Sequence, residues 1–464
     1  MAPITFKDLK HPGKIQLEEH TYKPPPLPRD TNEILFINEP IEKQYWRRQT
    51  DLPPEFEGYG PLTRVNAEYT QWQEVEGVNT VIALSKADTD KVREYRDREL
   101  KRRREGVWFM NKGVPTYLTG DHYFALQWCP INGLSNPFDN GSPYGAFRWF
   151  QAKFFYFLEV CGISYVCDPA LRISNKRPKC IGGYIVKPKK TGITLLVMYA
   201  FANRLTMTAA LNAGAMSKSK EDCMVTNMTY FRHALDNLPY IFLPNIERDN
   251  LDFVRFDTPR AKNTGTKKSQ MRQMGNGKGL NSFFKAAPTK ADAFDGPVMH
   301  LENLDEFAKC EDPYPAVIYE KTIQTVKIGG MPNGLLLITH YTPETDGKSF
   351  EEGRKIFYDS ELSTIDPMTG MTKSELFAYC ISAKDSYETP DNKFNKYGFL
   401  DEDKALQNIN SRREQLKADR QKLQSFMRQY PLNREEAWRQ GGGGGSLFDN
   451  IRLGIRKSEI EDML

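Results

Sequence analysis

Tyr184-Ile185-Val186-Lys187-Pro188-Lys189-Lys190-Thr191-Gly192-Ile193-Thr194 is the stretch that decides how this chain is read. The first three residues are a short apolar run of the kind that forms a buried strand. A basic, glycine-containing turn follows, and Thr194 to Asn203 then has helical character. Strand, turn and helix in that order can cradle a phosphate. Glycine lets the backbone come close, a cation meets the charge, and a hydroxyl reaches Mg²⁺. The usual Gly-Lys-Ser/Thr ending is absent, because Ile193 stands where the lysine is expected. Taken alone, Lys187 to Thr194 fits a basic surface turn better than a phosphate loop.

Two later stretches change that balance. Val298-Met299-His300-Leu301-Glu302-Asn303-Leu304-Asp305-Glu306 is a mostly apolar run ending in two acids. This is the form of a Walker B strand, with Asp305 holding Mg²⁺ and Glu306 acting as general base on the attacking water. His300 and Glu302 make it an imperfect buried strand, and a surface strand end is the plainer alternative. Gly334 to Thr339 is a third apolar run, closed by Thr339-His340-Tyr341-Thr342. Such a hydroxyl-rich end could sense a γ-phosphate and pass its loss onward; the alternative is a capped strand end. Short apolar strands alternating with helices predict a mostly parallel sheet, and ligands of such sheets sit at the carboxyl ends of the strands. A phosphate-loop candidate, then an acid pair, then a hydroxyl-ended strand is the layout of an additional-strand (ASCE) P-loop NTPase.

The rest of the chain sets bounds. At 464 residues, with 39% hydrophobic and 27% charged, it fits a soluble protein with a large core. No apolar run reaches the roughly 18 residues of a membrane span, and Met1 to Lys14 lacks the apolar segment of a signal peptide. The seven cysteines form no CxxC pair, so reduced thiols are expected rather than a zinc site. A net charge of +4 does not by itself mark a nucleic-acid binder.

Residues 1–60, with Pro24-Pro25-Pro26, read as an extended arm. Ser85 to Glu105, closed by Lys101-Arg102-Arg103-Arg104, reads as a solvated helix face, with DNA contact as the lesser reading. Gly106 to Phe109 and Tyr117 to Phe124 look like short core strands and turns, and Phe147 to Leu158 like a buried helix. Arg260 to Lys290 is a glycine-containing basic loop, either solvated or tracking a DNA backbone. Asp401 to Gln429 predicts one long amphipathic helix, and Gly441 to Ser446 a flexible linker.

With these residues in view, the chain resembles the large terminases of tailed phages, most of all those of crAss-like phages. Lys187 to Thr194 is similar to that family's variant phosphate loop, in which the cation sits early. Ala293-Phe294-Asp295-Gly296 is similar to its segment before the acid strand. Thr339 to Thr342 with Glu351-Glu352-Gly353 resembles its coupling motif. Tyr430-Pro431-Leu432-Asn433-Arg434-Glu435-Glu436-Ala437-Trp438 resembles the segment that closes its ATPase region and is the most specific mark. Gly113 to Tyr123 is similar to its lead-in.

The resemblance implies a motor domain over residues 61–440 that hydrolyses ATP with Mg²⁺ and drives double-stranded DNA into a procapsid. It implies phosphate contacts by Lys187, Lys189, Lys190, Thr191, Gly192, Ile193 and Thr194, and Mg²⁺ ligation by Thr194 and Asp305. Catalysis would involve Glu306 and Asp305 with Lys189 and Lys190. Arg148 and Gln151 fall on the adenine side, and Thr339, His340 and Thr342 serve coupling. The implied partners are the portal protein, further copies in a pentameric ring and a small terminase subunit, on procapsids in the host cytoplasm and away from membranes. Arg204 and Arg232 are candidates for a finger donated to a neighbouring subunit. Only 26 residues follow Trp438, too few for the family's RNase H-like nuclease. Residues 441–464 therefore read as a linker and the start of a missing domain, and DNA cleavage is not expected. The rivals are another P-loop translocase or helicase, and a non-catalytic virion protein with a degenerate site.

Overall fold

In a computed structural model of the chain, the described residues are 15–17, 20–29, 72–75, 78–81 and 90–440, apart from 112, 130, 132–144, 174–177, 239–241, 245, 257–279, 289, 291, 344–345 and 396. Most of the expected N-terminal arm, most of the basic loop from Arg260 to Lys290, and everything from Gly441 on lie outside them.

Eight strands make the central sheet: β1 (Gly182–Val186), β2 (Asn212–Ser217), β3 (Ile246–Asn250), β4 (Phe253–Phe256), β5 (Phe283–Pro288), β6 (Leu301–Asp305), β7 (Leu335–His340) and β8 (Leu376–Cys380). Their order is β8-β1-β7-β6-β2-β5-β4-β3. The strands from β8 to β5 run parallel, and β4 and β3 add an antiparallel edge. β7 is thus inserted between the strand that leads into the phosphate-loop candidate and the strand that ends in the acids. That insertion defines the additional-strand class, so the expected α/β P-loop NTPase fold is present.

The helices used below are α1 (Asp90–Glu105), α2 (Gly120–Gln127), α3 (Trp149–Val160), α4 (Ile193–Leu205), α5 (Pro315–Thr325), α6 (Lys348–Tyr358), α7 (Glu402–Leu416), α8 (Arg420–Gln429) and α9 (Arg434–Ala437). Alternate strand residues point to opposite faces. Ile185, Leu335 and Leu337 join the core built with α2, α3 and α4. Tyr184, Val186, Leu336 and Ile338 join a second core with α5, α6 and Trp438. Both faces are covered, which is why β1 and β7 are buried along their whole length.

The polar residues of the acid strand are accommodated individually. Thr325 Oγ1 donates to Glu302 Oε1 at 2.6 Å, and burial pushes the Glu302 carboxyl up to about 8. Asn212 N donates to His300 Nδ1 at 3.1 Å. β6 is therefore a buried strand, not a surface strand end.

Several expectations give way to the packing. Val107–Asn111, which includes the expected strand up to Phe109, pairs with Val114–Leu118 in a hairpin, but the strand and turn reading of Tyr117 to Phe124 ends at Thr119. Its Oγ1 accepts from His122 N and caps α2. The charged helix α1 is not simply solvated: Glu99 and Arg103 are fully buried. Arg103 Nε donates to Asn203 Oδ1 at 2.9 Å, and its guanidinium lies over the Phe124 ring. The single helix expected over Asp401 to Gln429 is two, because Asp419 accepts from Lys422 N and starts α8 afresh. Within the proline-rich lead-in, Tyr22 stacks on Tyr156 of α3 at 4.7 Å.

Candidate active site

The register of the sheet brings the sequence candidates together. Asp305 is paired with Thr339 across β6 and β7, and Thr339 with Ile185 across β7 and β1. The three strand ends therefore open side by side at the carboxyl edge, one residue before Lys187. Lys187 Nζ lies within bonding distance of Thr194 Oγ1 and 3.2 Å from Asp305 Oδ1. Thr194 Oγ1 is 3.3 Å from both Asp305 carboxylate oxygens. Thr339 Oγ1 is 3.0 Å from Asp305 Oδ1 and 3.1 Å from Asn303 Oδ1. Asn303 is a participant that sequence reading missed, since an amide inside an apolar run carries no distinguishing pattern.

The missing lysine is explained by direction. Ile193 starts α4 and is buried in the α-helical core. A lysine there would have its side chain in that packing. Lys187 begins the loop instead, and its ammonium reaches the hydroxyl seven residues later. A positive charge between Thr194 and Asp305 is what an oxygen pair suited to Mg²⁺ would select, so the donor set fits that ion.

Lys190 and Gly192 both have positive φ, 62° and 76°. Gly192 caps α4 with no side-chain bond, and the first intrahelical acceptor bond is Leu196 N to Gly192 O. The amides of Ile193, Thr194 and Leu195 thus have no partner within the helix. Thr191 Oγ1 donates to Pro188 O at 3.1 Å, so its hydroxyl closes the loop rather than facing a ligand. Lys190 is exposed. Lys189 Nζ sits 4.7 Å from the centroid of the Tyr341 ring.

Beside the loop is a cavity of about 340 Å³, lined among others by Arg148, Gln151, Lys190, Thr191, Tyr387 and Tyr430. Gln151 Nε2 is 3.5 Å from Thr191 O, and Arg148 is ion-paired to Glu388 and lies over Phe394. Arg148 and Gln151 therefore share one cavity beside the loop. Tyr387, Glu388 and Tyr430 join them from distant sequence. Tyr430 arrives because the C-terminal segment docks on the loop: Lys189 N donates to Gln429 O at 3.0 Å, and Ala383 N to Pro431 O at 2.7 Å. Arg413 holds Glu436 through two bonds of 3.0 and 2.6 Å, which fixes that segment against α7.

Glu306 follows Asp305 in a left-handed conformation, φ 56°. Its N–H donates to Thr339 O at 2.9 Å. Burial, and then the Asp305 charge, push its carboxyl above the usual range, while Lys309 and Lys187 oppose this.

The coupling candidates are placed differently from one another. Thr339 touches Asp305. The His340 ring packs 5.3 Å from Tyr184 and 5.2 Å from Trp438 and is held neutral by burial, which pushes it down to about 3. It links the strand end to the C-terminal segment by packing, not by contact with the acid pair. Thr342 is buried, with no hydrogen-bond partner for its hydroxyl among the described residues. Neither arginine candidate is presented for donation. Arg204 is fully buried on Asp121 and Glu159, and Arg232 is tied to Asp249.

No protein-family model matches the chain, and no curated protein matches it. Among solved structures, the chain is similar to the large terminase ATPase domain of Thermus phage P74-26, at 10% identity and TM-score 0.33, over 56% of this chain and 90% of that one. It is similar to the HK97 bacteriophage large terminase at 14% identity and TM-score 0.40, over 67% of this chain and 53% of that one. It is also similar to the large terminase of a thermophilic bacteriophage in complex with ADP, at 13% identity and TM-score 0.32, over 50% of this chain and 46% of that one.

Proposed function

We propose that this chain is the ATP-hydrolysing motor of a phage packaging machine, a large-terminase ATPase that drives double-stranded DNA into a procapsid. The observation that carries the ATPase part is the convergence of Lys187, Thr194, Asp305 and Thr339 at the open ends of β1, β6 and β7. The packaging assignment rests on the motif resemblance, above all Tyr430 to Trp438, which the fold seats against the phosphate loop.

In this reading the amides at the start of α4 and Lys187 bind the β- and γ-phosphates. Thr194 and Asp305 hold Mg²⁺, which when bound neutralises phosphate oxygens. Glu306 takes the proton of the attacking water. Arg148, Gln151 and the tyrosines from the C-terminal region enclose the base. Thr339 reads the state of Asp305, and β7 carries the change through His340 to Trp438 and the docked segment. DNA, portal, a small terminase subunit and a pentameric ring are the partners this reading calls for.

The test is protection of linear duplex DNA from added nuclease, with purified protein, portal-bearing procapsids and ATP. Protected DNA that requires both ATP and Glu306 is the expected result. ATP hydrolysis without protection, but with strand unwinding, would replace the motor by a helicase. Absence of ATP binding would leave a structural virion protein.

A further inference from the structure

The antiparallel edge of the sheet has a face that the nucleotide site does not use. In β4 and β5, Val254, Phe256, Phe284 and Ala286 point into the first core. Alternate residues face the other way, so Phe253, Arg255, Phe283 and Lys285 share the opposite, half-buried face. The register extends this face to the edge strand. Arg248 of β3 stands directly opposite Arg255, and Arg255 opposite Phe283. In the next row Asn250 stands opposite Phe253, and Phe253 opposite Lys285. Aromatic and cationic side chains thus alternate across three strands.

The contacts fit that pattern. The Phe253 and Phe283 rings are stacked, with centroids 5.4 Å apart and planes at 29°. The Arg248 guanidinium lies 5.1 Å over the Phe253 ring. Arg255 Nη2 donates to Oδ1 of Asn281, an exposed amide, at 3.2 Å. Lys285 Nζ donates to Ala293 O at 2.7 Å. Asp249, next to Arg248 in sequence, alternates to the other face and is ion-paired to Arg232. Two arginines directly opposite one another in a ladder cost stability, because like charges meet at short range. Arginines alone would guard an edge strand against pairing with another sheet, but that role needs no phenylalanines beside them. A ring stack flanked by guanidiniums meets two needs together: the rings take bases, and the cations take the phosphates that join them.

We propose that this face binds single-stranded nucleic acid, with bases against Phe253 and Phe283 and backbone phosphates on Arg248 and Arg255. A duplex keeps its base faces stacked within itself and offers the rings nothing. β2, β5 and β4 separate β3 from the acid strand β6, so the face is distinct from the Asp305 cluster. The proposal does not rest on the ATPase reading.

Fluorescence anisotropy of the full chain, without nucleotide or Mg²⁺, tests this. The probes are a labelled oligothymidylate of about ten nucleotides, an abasic strand of the same length and charge, and a duplex. Oligothymidylate is expected to bind roughly tenfold tighter than either control. Phe253→Leu and Phe283→Leu keep apolar bulk and are each expected to weaken it roughly tenfold with cooperative melting retained. Arg248→Gln is expected to flatten the salt dependence, and an unchanged slope contradicts the phosphate role. Equal binding of the abasic strand or of the duplex would overturn the proposal, as would binding that both leucine variants keep. If no strand binds and the leucine variants lower the sedimenting mass, a second copy of the chain covers the face and the proposal falls. Phe283 also packs against the second core, so a readout without substitution is added. Photocrosslinks from a 5-iodouracil strand to the wild-type chain are expected on the peptides holding Phe253 and Phe283. Crosslinks confined to other peptides contradict the proposal. Each of these failures leaves the ATP site untouched, because no nucleotide is present.

Discussion

Glu306→Gln is expected to lower ATP turnover by about 10²–10⁴-fold, the usual cost of removing a general base. ATP affinity is expected to stay within a few-fold. The separation follows from position. The Glu306 side chain is ion-paired to Lys309 and makes no hydrogen bond to Lys187, Thr194 or Asp305. The substitution keeps the side-chain volume, and the left-handed backbone at φ 56° is held by the bond from Glu306 N to Thr339 O, which glutamine retains. Steady-state phosphate release together with nucleotide titration measures both quantities. A loss of affinity equal to the loss of turnover would mean that Glu306 binds rather than activates.

Lys187→Met is expected to abolish detectable nucleotide binding and turnover, whereas Lys190→Met leaves turnover within about tenfold of wild type. The contrast is the more informative because the two lysines are three residues apart in one loop. Lys187 is buried, and its ammonium bonds Asp305 Oδ1 and lies within bonding distance of Thr194 Oγ1. Methionine fills the same space and leaves a phosphate pocket without its cation. A hydrogen-bonded charge lost from such a site costs several kcal/mol. Lys190 is exposed, and its loss removes only a screened charge. Equal effects of the two substitutions would show that the loop binds through general positive charge.

These predictions also mark what could be read from the sequence. The strands β1, β6 and β7 and their polar ends were legible because an apolar run that stops at acids or hydroxyls keeps its meaning in any parallel sheet. The order of the motifs predicted the additional strand, which lies between β1 and β6. Which lysine meets Thr194 and Asp305 was not legible. Lys187 reaches Thr194 only because the loop turns back on itself at Lys190 and Gly192, and linear spacing does not express that turn. Tyr387, Glu388 and Asn303 join the site through the fold alone. The charged helices misled for one reason. A run such as Arg102-Arg103-Arg104 reads as solvated, yet Arg103 finds Asn203, Thr206 and two phenylalanine rings inside the core. Arg204, a finger candidate by charge, is likewise consumed by Asp121. Such pairings depend on partners about a hundred residues away.

An experimental structure of the chain with Mg²⁺ and a non-hydrolysable ATP analogue would decide the nucleotide site outright. The triphosphate is expected over the start of α4, with Lys187 on phosphate, the metal on Thr194 and Asp305, and the base in the cavity lined by Arg148, Gln151 and Tyr430. Nucleotide bound elsewhere, or a structure at saturating analogue in which Lys187 still bridges Thr194 and Asp305 with no phosphate beside it, would contradict the assignment.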